Sequence, residues 1–180
     1  MRYRVGIIIA LLTSPLSRTV AQTGPQTPSR EQQRLQMFVG RWAYHGQVNN
    51  TVLSAAAQWN GTNHTFELFP GGFFLVHRWD DDRNDQGVLE QGIEIMSYDM
   101  AKHVYITRSY TSRGDAASYT HTWVGDTLRY ADDKLRHKGK TGIERCVGVF
   151  ARTTFTVDCR VSLDGKTWEA ESHGVWTRRP

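Results

Sequence analysis

The 180-residue chain has no apolar run near the roughly 20 residues that a membrane-spanning helix needs, so no such span is predicted. It has only two cysteines and five prolines, and charged residues make up 22% of it. Disordered proteins have few aromatic residues and a high net charge, whereas this chain has six tryptophans, seven tyrosines and seven phenylalanines. The composition therefore predicts a folded domain with an apolar core.

The sequence motifs of common catalytic and cofactor sites are also missing. There is no Gly-x-Ser-x-Gly elbow, no glycine-rich phosphate loop and no His-Glu-x-x-His. The seven histidines are scattered, without a His-x-His pair. We therefore predict no metal site and no cofactor. Two possibilities stay open: a zinc ion held by residues from different strands, and a haem held by His77 or His121.

The first 21 residues have the layout of a secretory signal peptide. Two arginines precede an apolar stretch over residues 5–12, and small residues stand just before the expected cleavage point. Cleavage after Ala21 would remove three arginines and lower the formal net charge from +4 to +1, which is too little for a nucleic-acid surface. We expect an exported protein, periplasmic or secreted, with a flexible lead-in over residues 22–28 and one domain over residues 29–180.

Turn-forming Gly, Asp and Asn residues divide the chain after a short N-terminal helix. Their spacing is typical of all-β sandwiches and barrels, and no strand–helix alternation indicates a nucleotide-binding sheet. Ser29 can cap the helix over residues 30–38, and Gly40 ends it. The predicted strands cover residues 41–48, 52–59, 65–69, 73–79, 88–98, 103–110, 116–124, 127–130, 143–151, 154–161 and 169–178.

The two cysteines flank a candidate hairpin. If Arg152 and Thr153 form its loop, Cys146 and Cys159 lie opposite each other, at a separation close to what a disulfide needs. Export would place them in an oxidising compartment. The alternative is two unpaired thiols that behave as small apolar residues.

Alternate residues of a strand point to opposite faces of the sheet, so each strand has two sets, or phases, of side chains. In one phase, apolar residues are combined with arginine. Three strands each carry one arginine in this phase, at Arg78, Arg108 and Arg145. We expect the phase to face the interior, where an arginine needs an anionic partner because an unpaired buried charge is strongly destabilising. The partner is either a ligand carboxylate or a protein carboxylate. The candidate protein carboxylates are Glu67, Glu90 and Glu94.

The opposite phase of several strands is rich in aromatic residues. His121 and Trp123 share one such face, and His77 and Trp79 share another. Such faces either line a cavity for one small ligand or fill a closed core. The candidate ligand-binding residues, taken from both phases, are Phe74, Arg78, Ile106, Arg108, Tyr110, His121, Trp123 and Arg145.

Short motifs occur in a fixed order along most of the chain. Phe38-Val39-Gly40-Arg41-Trp42 resembles the Gly-x-Trp entry to the first strand of lipocalins and other calycins. The later motifs are Ser97-Tyr98-Asp99, Thr122-Trp123-Val124-Gly125-Asp126-Thr127-Leu128, Ser162-Leu163-Asp164-Gly165-Lys166-Thr167-Trp168 and Trp176-Thr177-Arg178. Together they resemble a bacterial family of lipocalin-like domains of unknown function.

This resemblance implies an antiparallel up-and-down β-barrel of about 8–11 strands with one short N-terminal helix. In calycins the Gly-x-Trp tryptophan packs against an arginine from a late strand. Here Trp42, two residues after Gly40, would contact Arg178 or Arg179 as a structural closure of the barrel. The family brings no agreed catalytic residues, so none is assigned.

Three functions follow as hypotheses. The first is an exported lipocalin-like barrel that binds a small apolar or amphipathic ligand in its interior. The second is an enzyme in the same cavity, such as an isomerase, cyclase or hydrolase that uses His77 or His121 with a tyrosine. The third is a structural or interaction module with a closed barrel. Binding is preferred over catalysis, and the sequence predicts no oligomeric state.

Overall fold

The computed structural model describes residues 26–137 and 139–180, and all of their side chains except those of residues 134–137. The predicted signal peptide, residues 1–21, lies outside this part of the chain. Within the described residues, no helix is long and apolar enough to cross a membrane.

A short helical segment precedes the first strand. Helix α1 (Arg30–Gln33) continues into a 3-10 helix (Arg34–Phe38). Ser29 caps it reciprocally: the Gln32 backbone N–H donates to Ser29 Oγ at 3.2 Å, and the Ser29 N–H donates to Gln32 Oε1 at 2.8 Å. Leu35 and Phe38 are fully or almost fully buried. They belong to one apolar cluster with Leu75, Tyr105 and Leu128.

Ten strands follow, and each hydrogen-bonds to the next in antiparallel order until the last closes on the first. The strands are β1 (Gly40–Val48), β2 (Ala57–Leu68), β3 (Phe74–Asn84), β4 (Leu89–Asp99), β5 (Val104–Thr111), β6 (Ala116–Val124), β7 (Thr127–His137), β8 (Lys140–Phe150), β9 (Thr154–Ser162) and β10 (Glu169–Arg178). The predicted all-β, closed antiparallel barrel with one short helix is confirmed.

The sequence predicted eleven strands because a polar stretch near residue 62 resembles a turn. The structure instead runs β2 through this stretch, with an irregular register against β1. The backbone N–H groups of Thr62 and Asn63 donate to the Asp81 carboxylate at 2.9–3.0 Å. A side chain of β3 thus replaces the missing strand partners, which lets a bulge continue where a turn was expected.

The connections alternate between two ends of the barrel. The helical segment lies at the end where β1 begins and β10 ends, which we call the helix end. The opposite end, the loop end, carries the connections over residues 49–56, 85–88, 112–115 and 163–168. Leu53 from the first of these is fully buried against Gly142 of β8.

Trp42 and Arg178 meet at the helix end. The Arg178 guanidinium carbon lies 4.3 Å from the centre of a Trp42 ring. Arg178 also donates to the carbonyl oxygens of Met37 and Val39, and Trp42 Nε1 donates to the Phe38 carbonyl oxygen at 2.8 Å. These bonds attach the helical segment to the first and last strands.

The predicted disulfide joins Cys146 and Cys159 across the β8–β9 hairpin. The two residues are direct cross-strand partners, and their Cα atoms are 4.1 Å apart. The bond closes a short loop, so the chain-entropy contribution to stability is at most about 3 kcal/mol.

Candidate functional site

Burial along the strands shows which phase faces inward. In β3, Leu75, His77 and Trp79 are buried, whereas Phe74 and Arg78 are exposed. The inward phase is therefore the aromatic and histidine-rich one. Its members include His121, which is buried, and Trp123, which is half-buried.

The other six candidate ligand-binding residues lie on the outer face, so the prediction that they line the interior is wrong. They are Phe74, Arg78, Ile106, Arg108, Tyr110 and Arg145. Apolar and β-branched residues suit any half-exposed pleated surface, so their presence did not identify the core face. Four of the six share an outer groove of about 320 Å³. They are Phe74, Ile106, Arg108 and Tyr110.

The outer arginines also need no interior anion. Arg145 Nη2 lies 2.5 Å from Asp133 Oδ1, and both side chains are largely exposed. Of the carboxylates predicted as partners, Glu67 is exposed on the outer face, whereas Glu90 and Glu94 face inward. The expected meeting of arginine and anion inside the barrel is therefore wrong.

The interior holds a cavity of about 360 Å³, which we call the central cavity. Its walls combine aromatic and aliphatic side chains with histidines and carboxyls. They are Phe38, Phe66, His77, Glu94, Met96, Thr107, Ala117, Tyr119, His121, Leu128, Tyr130, Asp132, Glu144, Phe155, Val157 and Trp176.

Several buried polar atoms of this cavity have no hydrogen-bond partner among the described residues. They are both ring nitrogens of His121, the hydroxyl oxygen of Thr107 and the indole nitrogen of Trp176. Burial lowers the pKa of His121 to about 4, so its imidazole is neutral at pH 7 and offers one donor and one acceptor. Buried polar groups usually have a hydrogen-bond partner in native proteins. Three side chains with unpartnered polar atoms at one cavity therefore require an explanation.

Glu144 lines the same cavity, and its carboxyl group is paired with that of Glu171. Burial, followed by the hydrogen bond and charge of Glu171, raises the pKa of Glu144 to about 9. Ser54 donates to the other side of this pair, at Glu171 Oε1. At neutral pH the Glu144–Glu171 pair therefore shares one proton, which lies in the hydrogen bond between the two carboxyl groups.

A buried chain of four titratable side chains crosses the interior from β2 to β4. Asp82 Oδ1 lies 2.7 Å from His64 Nε2, and His64 Nδ1 lies 2.9 Å from His77 Nε2. His77 Nδ1 in turn lies 2.9 Å from Glu94 Oε2. We call Asp82, His64, His77 and Glu94 the histidine chain.

Counting protons gives the charge of the histidine chain. Each of its three hydrogen bonds needs one proton, and two neutral imidazoles supply only two. The third is an added proton shared along the chain. Two carboxyl groups with at most one added proton leave the chain with a net negative charge.

Ring contacts hold the orientation of His77. His77 stacks on Phe66 with ring centres 3.9 Å apart, and its ring centre is 4.9 Å from that of Trp79. Burial lowers the pKa of His77. Burial alone would raise the pKa of Glu94, but hydrogen bonds from His77 and Ser109 help to lower it, so Glu94 carries negative charge at neutral pH.

A second cavity of about 350 Å³, the loop-end cavity, lies on the other side of this chain. It shares His77, Glu94 and Trp176 with the central cavity. Its walls are Tyr44, Val48, Trp59, His64, His77, Trp79, Asp82, Glu90, Glu94 and Trp176.

Sequence reasoning did not identify His64, Asp82, Thr107 or Trp176 as site residues. His64 and Asp82 come from β2 and β3, and their meeting depends on the bulges between Gly61 and His64 and between Trp79 and Asp82. Alternation alone cannot predict such register shifts. His77 and His121 were both considered for haem, and only His121 has ring nitrogens without a partner. The absence of a cofactor stays a prediction.

A comparison with solved structures shows the fold alone. The crystal structure of Rv2717c from M. tuberculosis matches with a TM-score of 0.57 and 13% sequence identity, over 85% of this chain and 99% of that one. No curated protein matches the chain.

A family comparison is more informative. Residues 27–140 match the family described as "Protein of unknown function (DUF1579)". That description names no lipocalin, so the lipocalin-like assignment stays a prediction. Because the match covers more than half of the sequence, the chain belongs to the DUF1579 family.

Proposed function

We propose that this protein is an exported barrel that binds a small amphipathic molecule in the central cavity. The observation that carries the proposal is the set of unpartnered polar atoms on His121, Thr107 and Trp176, all buried at one cavity. Leaving a buried donor or acceptor unsatisfied costs about 1–3 kcal/mol. A ligand that supplies the partners would recover much of this cost.

The lining indicates the chemistry of the ligand. Phe66, Met96 and Phe155 offer apolar contact. Neutral His121 and the Thr107 hydroxyl offer hydrogen bonds. No arginine or lysine is among the described residues that line the cavity. The ligand therefore has an apolar body and a polar, uncharged end, not the carboxylate expected from the sequence. The volume of about 360 Å³ is within the usual range for small-molecule sites.

Binding is favoured over catalysis by the surroundings of the two histidines. His77 already has a neighbour at each ring nitrogen, so it has no free nitrogen for a substrate. His121 has free nitrogens, but no described carboxylate bonds to its ring to orient it. A general base needs both an orienting partner and access to the reacting group.

Export is part of the proposal, and the disulfide supports it. Structural disulfides persist in oxidising compartments and are rare in the cytosol. The bond between Cys146 and Cys159 is therefore compatible with a periplasmic or secreted protein.

Filling the central cavity tests the binding function. The probe is N-phenyl-1-naphthylamine, an uncharged amphipathic amine whose fluorescence rises in apolar sites, titrated into protein refolded from guanidinium. Ala117 lines the cavity, so Ala117→Trp is expected to weaken binding at least tenfold by occupying the space. Ala116 is its exposed neighbour in β6, so Ala116→Trp is expected to bind like wild type.

Thermal unfolding of each variant checks that the barrel is intact, and Ala117→Phe serves as a smaller filling change. The proposal is contradicted if wild type does not bind the probe. It is also contradicted if Ala117→Trp and Ala116→Trp bind equally well.

A further inference from the structure

The loop-end cavity has walls of an unusual composition. Four of its residues are aromatic and three carry carboxyl groups, and none of its described lining residues is lysine or arginine. The aromatic residues are Tyr44, Trp59, Trp79 and Trp176. The faces of such rings carry partial negative charge and attract cations, most strongly quaternary ammonium groups.

The cavity also borders a net negative charge. Asp82, His64, His77 and Glu94, which form the histidine chain, all line it, and the two carboxyl groups of that chain leave it with a net negative charge. The remaining carboxyl, Glu90, is 3.7 Å from Arg113, whose side chain is half exposed. A buried charge without a counter-ion is costly, so a cation in this cavity would be stabilised.

An unsatisfied donor is a second, independent indication of a ligand. Trp79 is 8% exposed, and its indole N–H has no partner among the described residues. Trp176 also lines the cavity, and its buried indole N–H likewise has no hydrogen-bond partner among the described residues. These donors would bond to an oxygen atom carried by the ligand.

We propose that the loop-end cavity binds a small organic ammonium ion, with its charged group among the aromatic rings and an oxygen at an indole N–H. A metal ion fits less well. Asp82 and Glu94 already accept hydrogen bonds from histidines, and hard cations need several free oxygen ligands. The proposal can be tested separately from binding in the central cavity, because Trp59, Trp79 with its unpartnered indole N–H, and Asp82 line the loop-end cavity and not the central one.

Isothermal titration with a matched pair of probes tests it. Choline carries a quaternary ammonium group, and 3,3-dimethylbutan-1-ol has the same shape and hydroxyl without the charge. Wild type is expected to bind choline at least tenfold more tightly than the neutral alcohol.

The aromatic contribution is tested at Trp59, which lines the loop-end cavity and not the central one. Trp59→Leu is expected to weaken choline binding roughly 5–30-fold, and Trp59→Phe, which keeps a ring, to weaken it less. Trp168 lies outside both cavities, so Trp168→Leu is the control and is expected to bind like wild type. Binding of N-phenyl-1-naphthylamine is expected to survive Trp59→Leu, which shows that the barrel is folded.

Three outcomes would overturn the proposal: no choline binding by wild type, equal binding of choline and the neutral alcohol, or equal choline binding by the Trp59→Leu and Trp168→Leu variants. None of them bears on the central cavity, which the naphthylamine titration reports separately.

Discussion

Asp82→Ala is expected to lower the free energy of unfolding by about 3–5 kcal/mol, because it removes one end of a buried, charged hydrogen-bond chain. Asp82 is 6% exposed and His64 is 2% exposed, so bulk water does not screen their interaction. Asp82→Asn keeps an acceptor for the His64 N–H and is expected to cost less. The measurement is urea unfolding at pH 7, followed by tryptophan fluorescence.

The chain offers a matched control in an exposed pair. Asp158 Oδ1 and His173 Nδ1 are also 2.7 Å apart, but both side chains are more than half exposed. Asp158→Ala is therefore expected to cost at most about 1 kcal/mol. Equal losses in Asp82→Ala and Asp158→Ala would show that the histidine chain contributes no more than a surface pair.

Acidification from pH 7 to pH 4 is expected to remove about 3 kcal/mol of stability through His121 alone. Its pKa is about 4 in the folded protein and 6.5 in the reference state, because burial disfavours the imidazolium. Below pH 6.5 the unfolded chain gains a proton at this position and the folded chain does not. The stability from the neutral buried ring is thus present above pH 6.5 and is lost as pH falls toward 4.

The phenylalanine variant isolates this effect. His121→Phe keeps an aromatic ring and cannot titrate, so the stability difference between variant and wild type is expected to shift in favour of the variant as pH falls. Urea unfolding at pH 7, 5.5 and 4 measures it. Parallel pH dependences of the two proteins would contradict the burial of a neutral imidazole.

Much of the fold could be predicted from local pattern. The Ser29 cap, the turns between strands and the hairpin that pairs Cys146 with Cys159 each depend on residues close in sequence. A disulfide across a short hairpin needs no knowledge of the rest of the barrel. Closure into ten strands, in contrast, depends on long-range pairing of β1 with β10, which the resemblance implied and alternation alone did not.

The candidate site was harder to predict, because it depends on which phase is inside. Phe74 and Arg78 share the outer face of β3, and His77 is on the inner face. An apolar residue on a strand gains from packing on either side of a sheet, so hydrophobicity did not separate the faces. A buried histidine needs hydrogen-bond partners, and those of His77 lie on the two neighbouring strands. Glu94 is directly opposite it in β4, and His64 is two residues from its partner Phe66 in β2, so their meeting depends on strand register, which hydrophobicity does not specify.

Native mass spectrometry of the protein purified from its own host, without refolding, tests the central claim most directly. The account predicts wild-type protein that carries a small organic molecule, released on collisional activation. Ala117→Trp, purified in parallel, is expected to lack it, and Ala116→Trp to retain it. Bare protein in all three preparations, or the same adduct on all three, would contradict ligand binding in the central cavity.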